Sequence, residues 1–314
     1  MDPRKRWMTL ARPHGAAWRL SAPEPVGPLA DWLRRLRAEA GGGAVALGVD
    51  LPLGLPRGYA RLHGGAADFP EFLGRLAHSP GFFEVCETLD ELAPARPFYP
   101  RRGLAGMTRL SHATALGLGD ATGLSRLCDR ATATRPAGAP LFWTLGANQT
   151  GKAAITAWRD WLLPALVSDD PPLLWPFQGG LAELLAQGGV VVAETYPAEA
   201  MRQRGLRMGG SKRRHADRIA LAPALLAAMA AVNATPDAAM RAEAAGGFGA
   251  DAAGEDRLDS VLGVLGLLGV IGGHQPDFVP DDPWVRSWEG WVLGQTELPK
   301  SSKQGERLRP FEPR

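Results

Sequence analysis

A chain of 314 residues can bury a substantial core, and an apolar fraction of 45% excludes a disordered polymer. The net charge of +2 gives no global basic field for nucleic acid, and two lone cysteines, Cys86 and Cys128, point to a reducing compartment rather than a disulfide framework or a zinc site. No signal-like apolar stretch opens the chain, and its most apolar runs, 219–232 and 261–271, fall short of the roughly 20 residues of a membrane span; a cytoplasmic location without a membrane partner is expected.

Residues 6–12 and 16–21 read as two strands joined by Pro13-His14-Gly15 in a hairpin. Residues 28–40 follow as an amphipathic helix with Leu29, Trp32, Leu33 and Leu36 on one face and arginines on the other. Gly41-Gly42-Gly43 stops that helix, and the apolar run Ala44-Val-Ala-Leu-Gly-Val-Asp50 predicts a strand ending on an acid. Strand, strand, helix, strand is the order of an α/β layer. Residues 57–140, rich in Gly, Pro and Arg, predict short helices at 69–77 and 118–131, no strand, and an insertion over one end of the sheet. A short strand is expected at 140–145, then helices at 151–166 and 181–187. A second acid-ended strand, Val190-Val-Val-Ala-Glu194, precedes helices at 216–232 and 256–271. The whole reads as one domain over 1–298 with a polar, basic tail at 299–314.

The acids carry the chemistry. Asp50 sits where a strand gives way to a Pro/Gly turn, a position that also suits plain turn hydrogen bonding. Glutamate is depleted from strands, so Glu194 at the end of a valine run calls for a salt bridge or a metal. Asp256 and Asp259, three apart, share a helical face; helix-dipole or capping roles compete with a ligand role there. If all four converge, their repulsion is relieved by Mg²⁺ or Mn²⁺, hard cations that prefer oxygen donors. Two such ions about 4 Å apart activate water against a phosphodiester. The basic loop after Glu194 contains Lys212, Arg213, Arg214 and Arg218, which are either a solvated surface or a phosphate contact.

Gly146-Ala-Asn-Gln-Thr-Gly151-Lys152-Ala153 nearly matches a phosphate-cradling P-loop, but alanine stands where the Mg²⁺-binding hydroxyl belongs. The histidines show no metal-ligand spacing, and no G-x-S-x-G elbow is present.

Taken in order, several motifs resemble the DUF429 family of predicted nucleases with an RNase H-like fold. They are Gly48-Val-Asp50-Leu-Pro52-Leu-Gly54-Leu-Pro56, Glu194-Thr-Tyr196-Pro197-Ala198, Lys212 with Arg218, Asp256-x-x-Asp259, and Glu289-Gly290-Trp291. The resemblance implies an α/β fold with an RNase H-like mixed sheet flanked by helices, carrying a largely helical insertion. It implies a metal-dependent hydrolase cutting RNA or DNA, with Asp50 and Glu194 as strand acids and Asp256 or Asp259 as the helix acid. It also implies a first, central strand ending in an acid. No apolar run precedes Arg6, so either that strand has been lost or, as the preferred reading, it lies upstream of Met1; Asp2 sits near where its acid would be but has no strand before it, and activity is expected to be impaired. The competing readings are a degenerate P-loop nucleotide-binding protein and a non-catalytic nucleic-acid-binding protein of the same fold. Nothing in the sequence bears on self-association.

Overall fold

A computed structural model describes residues 3–103, 106–146 and 150–300. Asp2 and most of the polar tail lie outside these residues. The chain is a mixed α/β protein of several small sheets flanked by helices. It divides into two compact units, each built from separated stretches. The first holds 1–50, 192–278 and 293–295, and the second holds 51–191, 279–292 and 296–314. The insertion expected at 57–140 is thus part of a larger second unit.

The first unit opens with a hairpin as expected, but the strand expected at 6–12 is split in two, and Pro13 and His14, expected in the turn, belong to its second piece. Strands β1 (Trp7–Met8), β2 (Ala11–His14), β3 (Ala17–Leu20) and β4 (Glu24–Pro25) pair antiparallel, β1 with β4 and β2 with β3. Helix α1 (Trp32–Glu39) starts later than expected and buries Trp32, Leu33 and Leu36, while strand β5 (Val45–Val49) ends immediately before Asp50.

The second unit contains α2 (Arg57–His63), α3 (Phe69–Arg75) and α4 (Arg109–Ala115). The helix expected at 118–131 is instead two single 3₁₀ turns, Ala121–Leu124 and Leu127–Asp129, because Gly119, Asp120 and Gly123 favour turns over a continuous helix. The strand expected at 140–145 is absent, leaving one isolated bridge between Tyr99 and Trp143. Helix α5 (Thr150–Ala157) runs through a π-helical turn, Trp158–Leu162, into α6 (Leu163–Leu166), giving the expected helix over this stretch. Then come β6 (Leu173–Leu174), α7 (Leu181–Ala186) and β7 (Val190–Glu194), whose Val190 and Val191 belong to this unit. Its core is aromatic: Phe69 lies 5.2 Å from Trp158, and Phe72 lies 5.6 Å from Phe82 in an edge-on contact.

Two of the recognised motifs meet inside this unit. Gly54 and Gly290 both have positive φ, and a side chain on either would strike backbone, Glu289 O from Gly54 and Leu53 O from Gly290. Only glycine permits that approach. Glu289 is fully buried, where Arg57 Nη2 donates to its carboxylate at 2.6 Å and Leu127 N at 3.1 Å. The Glu-Gly-Trp motif is therefore a packing device.

The first unit resumes with the rest of β7, then α8 (Pro197–Gln203), α9 (His215–Ala231), β8 (Ala234–Pro236), α10 (Ala238–Ala245) and α11 (Gly254–Ile271). Strand β8 runs parallel to β3. The core here joins Leu20, Leu225, Met229, Met240, Phe248, Leu258, Leu262 and Leu265. Each fully buried leucine contributes about 1.5–3 kcal/mol. Helix α11 is buried from Val261 to Val270 and packs on β1, β5 and α8. Among the described residues no helix is long and apolar enough to cross a membrane.

Candidate active site

All four acids singled out in the sequence belong to the first unit. Asp50 follows β5, Glu194 ends β7, and Asp256 and Asp259 lie in the first two turns of α11. Three contacts fix how these elements meet. Thr195 N donates to Val49 O at 2.9 Å, which ties the end of β7 to the end of β5. Gly48 leaves room for Thr195 and Leu267, whose carbons lie 2.8 and 2.9 Å from where a Cβ would stand, so α11 settles directly on β5. Thr9 Oγ1 and Ser260 Oγ share a hydrogen bond of 2.8 Å, which joins the first turns of α11 to the residue after β1.

The electrostatics report the outcome. The Asp50 carboxyl is pushed up to about 7, first by the crowding of protein around it and then by the charge of Asp259; Glu194 and Asp256 push the same way and Lys212 opposes. Asp50 is exposed to solvent, so water screens part of the effect. Asp259 is raised to about 6 by burial, opposed by the charge and hydrogen bond of Lys212. Asp256 is raised by burial, while Lys5 pulls it back. Glu194 is buried, and its backbone oxygen accepts from Leu293 N at 2.8 Å. Asp50 therefore lies within electrostatic reach of the other three acids, with Lys212 beside it and Lys5 near Asp256.

The basic loop separates into distinct roles. Lys212 Nζ donates to Asp259 Oδ1 at 2.5 Å. Arg213 is 70% exposed, with Nε 3.6 Å from Glu255, and Arg214 pairs with Asp217 at 3.5 Å. Arg218 departs from the expectation of a phosphate contact. It is 2% exposed, and its guanidinium donates to Gly247 O (2.8 Å), Lys212 O (2.6 Å) and Gly249 O (2.6 Å). Gly254 makes this possible, since a Cβ there would lie 2.3 Å from Arg218 Nη2. Arginine fits because its planar fork serves several carbonyls at once. Lys5, Thr9 and Thr195 complete the surroundings. No motif marked Lys5 or Thr9, and Thr195 lay inside the Glu194-Thr-Tyr196 motif without a role of its own, because these roles arise from contacts distant in sequence.

The P-loop resemblance finds less support. Residues 147–149 lie outside the described residues, no strand precedes them, and Gly151 is buried with its Cα facing Trp143 O and Leu141 O, where a Cβ would clash. Gly151 is a packing glycine there.

The acids suit a hard divalent cation in kind, being carboxylates with raised proton affinity beside like charges. Among the described residues no three His, Cys, Asp or Glu side chains enclose an ion as they stand, and Asp259 is held by Lys212 instead. The chain matches no family model, no curated protein and no solved structure.

Proposed function

We propose that this protein is a divalent-metal-dependent hydrolase that cleaves phosphodiesters of RNA or DNA, on an RNase H-like version of its α/β fold. The observation that carries the reading is the mutual influence of Asp50, Asp259, Glu194 and Asp256 at the ends of β5 and β7 and the start of α11. Like charges gathered at an open position oppose their own ionisation, and a cation relieves the conflict. Asp50 and Glu194, with Asp256 or Asp259, would hold Mg²⁺ or Mn²⁺. When bound, such an ion polarises the phosphodiester and eases ionisation of water. Arg213, largely exposed and paired loosely with Glu255, would meet a phosphate oxygen, as would the side chain of Lys212 once it leaves Asp259. Arg218 shapes the loop that presents both.

The test is incubation of labelled single- and double-stranded RNA and DNA oligonucleotides with the protein, with Mn²⁺ and with chelator. Cleavage should require the metal and disappear in Asp50→Asn and Glu194→Gln. Cleavage that survives both substitutions contradicts the assignment. Oligonucleotide binding without cleavage in any metal would identify a non-catalytic binder. ATP binding lost in Lys152→Ala would favour a P-loop.

A further inference from the structure

An ammonium group and a divalent cation compete for the same carboxylate oxygens, and this site already holds the ammonium. The loop carrying it is fixed from behind. Arg218 is buried on the carbonyls of Gly247 and Gly249, and its Nη1 donates to Lys212 O at 2.6 Å. That anchors the Lys212 backbone and leaves its side chain, 23% exposed, as the movable part. From the anchored backbone, Nζ reaches Asp259 Oδ1 at 2.5 Å. Asp259 sits one turn along α11 from Asp256, and the lysine's charge is felt at Asp50, Asp256 and Asp259 alike. A lysine stem is long, flexible and easily rehydrated, unlike the arginine beneath it.

We propose that Lys212 is the resident counter-ion of the carboxylate cluster: its ammonium holds Asp259 until a divalent cation takes that carboxylate, and it then turns outward to meet substrate phosphate. The inference rests on the metal reading above and adds an order of events. The anchored loop lets one side chain exchange partners while the backbone stays in place, so Asp259 has a cation against it in both states. The ion pair is lost only when a stronger cation replaces it.

Two measurements on the full chain test it. In the wild type, acylation of lysines by an amine-reactive ester, read by mass spectrometry, should show Lys212 labelled several-fold faster in Mg²⁺ than in chelator, with Lys152 unchanged as reference. Unchanged labelling of Lys212 under conditions where Mn²⁺ binding is seen by electron paramagnetic resonance overturns the proposal. Second, Lys212→Met should bind Mn²⁺ about fivefold more tightly than wild type, the effect of removing one competing ion pair of about 1 kcal/mol, and Lys212→Arg should stay close to wild type. Equal or weaker Mn²⁺ binding by Lys212→Met overturns the proposal and leaves the metal reading standing. Absence of Mn²⁺ binding in wild type and Lys212→Met alike overturns both.

Discussion

At the residue scale, Asp50 and Asp259 make stability depend on pH in a definite direction. Both carboxyls are raised above the ordinary 3.8, to about 7 and about 6. The folded chain then holds these protons more tightly than the unfolded one. Their stabilising effect is complete below the ordinary value and is lost as pH rises through the folded values. Without divalent ions, the thermal midpoint should therefore fall between about pH 4 and about pH 7, and Asp50→Asn should flatten part of that fall. A midpoint that rises over this window would contradict the crowding of the acids. Arg218 supplies a second expectation. Arg218→Met strips donors from three carbonyls and should cost roughly 3 kcal/mol in equilibrium denaturation; unchanged stability would show that the buried guanidinium is not what ties the loop. The acids were legible in the sequence because each ends an apolar run or opens an apolar helix. Arg218 was not, since a charged residue at the edge of a basic stretch reads as solvated until Gly254 is seen to leave room for it.

At the scale of elements, the site depends on how closely α11 lies on β5. Gly48 sets that distance. Gly48→Val would push against Thr195 and Leu267, and should destabilise the protein by about 1–3 kcal/mol, read from the denaturation midpoint, while weakening Mn²⁺ binding. Full Mn²⁺ affinity in a folded Gly48→Val protein would mean that the seating of α11 on β5 does not shape the site. The long helices α9 and α11 and the strands β5 and β7 were readable because their apolar runs are long and bounded by glycine or turns. The failures fall where local signals conflict. Residues 118–131 carry helix formers broken by Gly119, Asp120 and Gly123, and turn chemistry prevailed. Strands β6 and β8 are too short to leave a pattern, and β8 exists only because β3 lies beside it.

At the scale of the molecule, the two units are each woven from separated stretches, which no linker-like composition announces. The sequence suggested one domain with an insertion because the Gly- and Pro-rich middle stands out, whereas its partners at 279–292 are recognised only through contacts such as Gly54 against Gly290. In the second unit, Arg57→Met would leave Glu289 buried without its cation and should cost about 3–5 kcal/mol, measured by denaturation; a loss below about 1 kcal/mol would assign that network a minor role. The first unit carries the functional reading, and its weight falls on whether the four acids act as one cation site. Titration of Mn²⁺ into the wild type, Asp50→Asn, Glu194→Gln and Asp256→Asn, followed by electron paramagnetic resonance, addresses this directly. A shared site requires saturable binding by the wild type, weakened on the order of tenfold or more by each substitution. Binding that is absent from the wild type, or indifferent to all three substitutions, would contradict it.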